Sequence, residues 1–297
     1  MHALPRPPDW FVRILSLAVP ATLLAGLLVV IAGQAELPLR LPTTAPAVPE
    51  TAQVAARSFS YRPAGQYQLN GIPMDAPLQS VGDHPGIEIM KFQVTAADYA
   101  RCVADGACEK AEPRRRGDGN VPVTGVNFKD AQAYAGWLSE RTGSRWRLPT
   151  DEEWAFIAGS RLVDDALALE DDGSNPAERW LANYEREAAR SGDASNPPQA
   201  PGSFGVNEFG VVDLGGNVWE WTATCDSRVT LDADGAVLSR VEACGVRILQ
   251  GAHRTPMSSF VRDGRTGGCS VGAPPDNLGF RLVQEQHWLG PFAHWLP

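Results

Sequence analysis

Asp213-Leu214-Gly215-Gly216-Asn217-Val218-Trp219-Glu220-Trp221 sets two carboxylates seven residues apart around a Gly-Gly turn and brackets the second with tryptophans. Calcium takes about six to eight oxygens, mixing carboxylates with carbonyls from a sharply turning chain. Asp213 and Glu220, with the carbonyls of Gly216 and Val218, make up such a set. The same spacing also describes a tight turn between two strands, with Trp219 and Trp221 as core aromatics. On spacing alone the two readings weigh equally, and both place the run in an irregular globular domain.

Upstream, three helices are marked by their caps. Thr95 with Asp98 opens one whose Tyr99, Cys102 and Val103 share a face before Gly106. Asn127 with Asp130 opens a second, with Ala131, Tyr134, Ala135 and Leu138 on the buried side and Gly143 at its end. Thr150-Asp151-Glu152-Glu153 is a capping box ahead of Trp154 and Ile157. Short apolar runs broken by Gly, Pro, Asn and Asp predict strands within Phe59 to Leu69, Ile87 to Val94, Val246 to Gln250 and Gly279 to Val283. Asp164 to Asn207 shows little periodicity, so a metal, a disulfide or an aromatic cluster has to hold it. One domain is expected over residues 58–297.

The first 57 residues read differently. Ile14 to Gly33 is an uncharged run of 20 residues rich in Leu, Val and Ala, long enough at about 1.5 Å per residue to cross a hydrocarbon layer roughly 30 Å thick. Arg6 and Arg13 precede it and only Arg40 closely follows, which puts residues 1–13 in the cytoplasm and the rest outside. Residues 14–35 are expected to be a signal anchor; Gly33-Gln34-Ala35 also offers small residues for signal peptidase. Residues 36–57, with Pro38, Pro42, Pro46 and Pro49, read as an extended linker.

A net charge of -9 argues against nucleic acid as a partner, because phosphate binding needs clustered Lys and Arg. The single basic run, Arg114-Arg115-Arg116, reads as a solvated loop. Five cysteines in an oxidising compartment leave one odd. Cys102 and Cys108 flank a helix end and form the first expected pair. Cys225 with Cys244 is the favoured second pair, which leaves Cys269 as the odd thiol. No Gly-rich phosphate loop, nucleophile elbow or His-Glu-x-x-His run is present.

Four stretches in order, Pro122-Val123-Thr124-Gly125-Val126-Asn127, Arg147-Leu148-Pro149-Thr150-Asp151-Glu152-Glu153-Trp154, Gly216 to Trp221 and Asn277-Leu278-Gly279-Phe280-Arg281, resemble the signature of the formylglycine-generating enzyme (sulfatase-modifying factor) superfamily. The resemblance implies an irregular α+β fold related to C-type lectins, with little regular secondary structure and bound calcium, here preceded by one transmembrane helix. It implies calcium ligands at Asp213, Gly216, Val218 and Glu220, and a second calcium site near Asn183 and Tyr184. In the formylglycine-generating enzymes, a cysteine pair ahead of the final Asn-Leu-Gly-Phe-Arg binds copper and oxidises a substrate cysteine. The matching segment here, Gln250-Gly251-Ala252-His253-Arg254-Thr255-Pro256-Met257-Ser258-Ser259-Phe260-Val261-Arg262-Asp263, has no cysteine, and Cys269 alone cannot supply the two thiolates.

Cys244-Gly245-Val246-Arg247, Gly251-Ala252-His253-Arg254, Gly267-Gly268-Cys269 and Pro274 to Arg281 are similar to an exported subgroup, the accessory proteins found with copper nitrite reductase in denitrifiers. The expectation is an accessory or maturation factor on the periplasmic side of the bacterial inner membrane, with copper nitrite reductase as partner. A second expectation, from the residues themselves, is an oxidoreductase site holding copper or iron at His253, with Arg254, Arg262, Asp263 and Cys269 around it. A third is a binding module without catalysis.

Overall fold

Each of the three marked helices forms, and its cap shows why. Thr95 accepts from the Asp98 N–H at the start of α1, Ala96–Ala104. Asn127 and Asp130 exchange side-chain-to-backbone bonds at the start of α2, Phe128–Thr142, which Gly143 ends in the left-handed region. Thr150 and Glu153 do the same for α3, Asp151–Ala158. These side chains satisfy amides that a helix leaves without partners in its first turn.

The computed structural model describes residues 48–117, 120–167, 177–178, 181–182, 184–185, 197–267 and 277–285. The predicted helix at Ile14 to Gly33, Asn183, Cys269 and the tail after residue 285 lie outside the described residues. Among the described residues, no helix is long and apolar enough to cross a membrane.

Strands β1 (Thr51–Val54), β2 (Arg57–Tyr61), β3 (Gln66–Leu69), β4 (Ile72–Met74), β5 (Gln79–His84) and β6 (Ile87–Met90) precede α1. β7 (Arg145–Arg147) lies between α2 and α3, and β8 (Trp219–Leu231), β9 (Val237–Gln250), β10 (Thr255–Ser258), β11 (Leu278–Gly279) and β12 (Val283–Glu285) follow. One sheet has the order β1-β6-β12-β7; a second runs β10-β9-β8-β3-β4, with β11 added parallel to β8; β2 and β5 pair separately.

Several expected boundaries are corrected. The fold begins before residue 58, because Thr51–Val54 pairs antiparallel with Ile87–Met90 and buries Ala52 and Val54. The run Phe59 to Leu69 is two strands broken at Pro63-Ala64-Gly65, where Gly65 has φ 139 and a Cβ would meet Ser227 Oγ at 2.7 Å. Val246 to Gln250 is only the buried end of a 14-residue strand whose first nine residues are exposed, so alternation could not reveal it. Gly279 to Val283 divides between β11 and β12, and the intervening Phe280, Arg281 and Leu282 are fully buried.

Two clusters make most of the core. One gathers the inner faces of α1 and α2 with Trp146, Trp221, Phe280 and Leu282. The other packs Trp154, Phe156 and Ile157 of α3 against β1, β6, Val211 and Leu214. Disulfides join Cys102 to Cys108 at the end of α1 and Cys225 to Cys244 across β8 and β9.

The α3 cap carries a pH dependence. Burial opposes ionisation of Glu153, but Arg147 and the Thr150 amide outweigh it and hold the carboxyl below its ordinary 4.5. Arg147 reaches Glu153 Oε2 at 2.7 Å and Oε1 at 2.5 Å. A carboxyl with a lowered folded pKa stabilises above its unfolded value and loses that contribution as pH falls through the folded one. Glu153→Gln is therefore expected to destabilise the chain by about 1–2 kcal/mol at neutral pH. In urea unfolding, the gap to wild type should narrow as pH drops below 4.5.

Candidate functional site

The Asp213–Glu220 loop is built from left-handed residues, with Asp213 at φ 58, Gly215 at 73 and Asn217 at 65. Such values suit Gly, Asn and Asp, which is why the loop has this composition. Gly216 cannot carry a side chain, because a Cβ there would lie 2.7 Å from the Phe204 ring. Asn217 pairs with the backbone of Gln199 through both amide atoms, at 2.9 Å each. The loop is thereby fastened to residues 199–205.

Its two carboxylates have different partners. Asp213, also buried, accepts the N–H groups of Gly202 and Phe204, both at 2.7 Å. Glu220 turns inward against Arg281, with Arg281 Nε donating to Oε2 at 2.6 Å and Nη2 to Oε1 at 2.7 Å. Arg281 is 0% exposed and Glu220 1%. Trp154 Nε1 donates to Oε2 at 3.0 Å, and Gln93 Nε2 donates to Oε1 at 2.8 Å. The remaining Arg281 donors reach the carbonyls of Lys91 at 3.3 Å and Val212 at 2.9 Å.

These contacts bear on the expected calcium set. Each Asp213 carboxylate oxygen accepts a backbone amide, and Glu220 has both oxygens taken up twice over by a guanidinium, an indole and an amide, which leaves it no lone pair for a cation. The Gly216 carbonyl accepts from Gln93 Nε2 at 3.3 Å and from the Val218 N–H at 2.8 Å. The residues present do not fit calcium at Asp213, Gly216, Val218 and Glu220. Tyr184, expected near a second calcium, is exposed.

The segment after β9 is anchored by its charges. Arg254 Nε lies 3.1 Å from Asp151 Oδ1, within ion-pair reach though misaligned for a hydrogen bond. Asp151 also accepts from Gln250 Nε2 at 2.5 Å and the Ala64 N–H at 3.2 Å. Burial pushes the Asp151 carboxyl up and the Arg254 charge only partly offsets this. Arg262 grips Asp130 with both ends of its fork, at 2.7 and 2.8 Å, and reaches Glu112 at 2.5 Å. Those hydrogen bonds, chiefly to Asp130, raise the Arg262 pKa above its ordinary value. Asp263 sits 3.7 Å from Arg114 and accepts the Arg265 N–H at 3.0 Å. His253 is buried edge-on to Trp219, ring centroids 5.6 Å apart.

The four described candidates therefore do not converge on an open constellation. Arg254 goes to the first turn of α3 and Arg262 to the first turn of α2. Among the described residues, the one grouping with metal-ligating atoms close together is Cys225, Glu242 and Cys244, and its sulfurs are joined as a disulfide. A mostly apolar cleft of about 410 Å³ opens beside α1, lined by Tyr99, Ala100, Val103, Ala111, Val121 and Val123, with Lys110 and Arg116 also contributing. Sequence reasoning missed the cleft and also Gln93, whose one signal was a neutral polar residue between Phe92 and Val94 in a strand-like run.

Residues 40–286 match the sequence profile described as the Sulfatase-modifying factor enzyme 1-like domain. The chain is similar to the formylglycine-generating enzyme of Streptomyces coelicolor, 30% identical over 176 residues, 56% of this chain and 53% of that one. It is also similar to the inactive C-alpha-formylglycine-generating enzyme 2 of Bos taurus, 31% identical over 170 residues, 54% of this chain and 50% of that one. The chain spans about half the length of these curated relatives. In fold it is similar to the structure of PvdO from Pseudomonas aeruginosa, TM-score 0.51 at 23% identity, covering 80% of this chain and 95% of that one.

Removing one partner of a buried ion pair leaves an uncompensated charge, a loss of about 3–5 kcal/mol. Arg281→Met is expected to fall in that range by denaturant unfolding. Adding Glu220→Leu to it should recover part of the loss, giving a coupling energy between the two sites of at least about 1 kcal/mol in the double-mutant cycle.

Proposed function

This chain belongs to the sulfatase-modifying factor enzyme 1-like family, and from that premise we propose that it is an exported accessory protein that works by binding a protein partner, not by oxidising a substrate cysteine. The observation that carries the reading is the make-up of residues 251–263. They contain no cysteine, Arg254 and Arg262 are paired with helix carboxylates, and His253 is packed against Trp219. A redox centre needs ligands free to take a metal, and a soft copper site needs thiolates. An inactive formylglycine-generating enzyme among the relatives is consistent with a member of this family lacking that chemistry.

Copper nitrite reductase is the first partner to test, on the resemblance of Cys244–Arg247, Gly251–Arg254 and Pro274–Arg281 to its accessory proteins. The apolar cleft beside α1 is the docking surface of this reading: its volume, about 410 Å³, and the exposed position of Ala100 suit an apolar side chain of a partner. Anchorage on the periplasmic side of the inner membrane through residues 14–35 belongs to the same proposal.

The test has two arms. Titration calorimetry of the chain against the cognate nitrite reductase should give saturable binding, weakened at least tenfold by Ala100→Glu with the melting temperature unchanged. Incubation with a cysteine-containing sulfatase peptide, copper and oxygen should leave the cysteine intact by mass spectrometry. Formylglycine in the peptide would overturn the non-oxidising reading. About one copper or iron per purified chain, lost in His253→Ala, would replace it with the oxidoreductase alternative.

A further inference from the structure

Three carbonyl or carboxylate oxygens of the Asp213–Glu220 loop point at one atom. Gln93 Nε2 lies 3.3 Å from the Asp213 carbonyl, 3.3 Å from the Gly216 carbonyl and 2.8 Å from Glu220 Oε1. A cradle of this kind, two carbonyls of a left-handed turn and one carboxylate oxygen, has the donor chemistry of a hard-cation site. Here its centre is filled by a side-chain amide from another part of the chain, 120 residues away in sequence. Gln93 is 4% exposed.

The charge balance fits an amide and not a divalent ion. Affinity for calcium rises with the negative charge of the ligand set. Glu220 supplies one negative charge, and Arg281 neutralises it at 2.6 and 2.7 Å. The Asp213 carboxylate faces away, toward the Gly202 and Phe204 amides, and lends the cradle only its carbonyl. A neutral cradle needs a donor of hydrogen bonds, not two positive charges. The amide has two hydrogens for three acceptors: the shorter contact takes one, and the two longer carbonyl contacts share the other.

The orientation of the amide is also determined. Among the described residues, Gln93 Oε1 is buried without a hydrogen-bond partner, which is unfavourable. Turning the amide over would satisfy nothing and would set that oxygen against three others.

We propose that the side-chain amide of Gln93 is an internal substitute for a structural cation, holding the Asp213–Glu220 loop closed without one, and that a carboxylate at the same position converts the loop into a calcium site.

The experiment compares melting temperatures of the full chain in excess EDTA and in millimolar calcium, with calcium titration calorimetry alongside. Wild type is expected to melt at the same temperature in both. Gln93→Glu should melt roughly 5 °C or more lower in EDTA, regain stability in calcium, and bind one more calcium per chain than wild type. Gln93→Met, similar in size but without donors, should melt lower than wild type and respond to calcium no more than wild type does. It keeps the proposal testable if Gln93→Glu does not fold. A calcium-induced rise in wild type that Gln93→Met abolishes would overturn the proposal, because Gln93 would then be a ligand itself. So would a folded Gln93→Glu protein that ignores calcium, or a Gln93→Met protein as stable as wild type.

Discussion

The buried pair of Glu220 and Arg281 ties together segments that lie far apart in the chain. Its carboxylate takes up donors from α3 through Trp154 and from the chain after β6 through Gln93. Its guanidinium takes up the carbonyls of Lys91 and Val212. Four segments distant in sequence are thus required to meet at one charged centre from which water is excluded. Burying two charges carries a desolvation penalty that the Coulombic attraction need not exceed. The pair is better understood as a registration device: with every lone pair and N–H spoken for, a slipped arrangement would strand a charge in the core.

Arginines from the segment after β9 do similar work nearer the surface. Asp151 is the first residue of α3 and Asp130 the third of α2. Acidic residues there complement the positive end of the helix dipole, and each also receives an arginine from beyond β9. The stretch that resembles the catalytic segment of formylglycine-generating enzymes is therefore stapled to two helix N-termini.

What could be read from the sequence follows from how local the cause is. Caps at Thr95, Asn127 and Thr150 act within four residues, so α1, α2 and α3 are legible, and so is the pairing of Cys102 with Cys108 around a helix end. The overall fold was legible through four ordered motifs. The candidate site was legible only as a list of residues. That Glu220 meets Arg281, Gln93 and Trp154 depends on the last two arriving from 127 and 66 residues away, and no local pattern encodes an arrival. The long β8–β9 ribbon escaped notice for the opposite reason: its outer half is exposed on β9 and carries no apolar alternation.

That ribbon has one covalent tie, the Cys225–Cys244 bond, set 19 residues apart at the bulged part of the pairing. The residues between the two sulfurs, including the turn at Asp232 to Gly235, form a covalently closed ring, whose Arg228–Leu231 side is also paired with β3. A break in the backbone inside that ring would leave one molecule, not two, for as long as the sulfurs stay joined. A nick at the exposed tip beyond Leu231 would thus leave the base of β8, which presents Glu220 to Arg281, covalently joined to both ends of the chain.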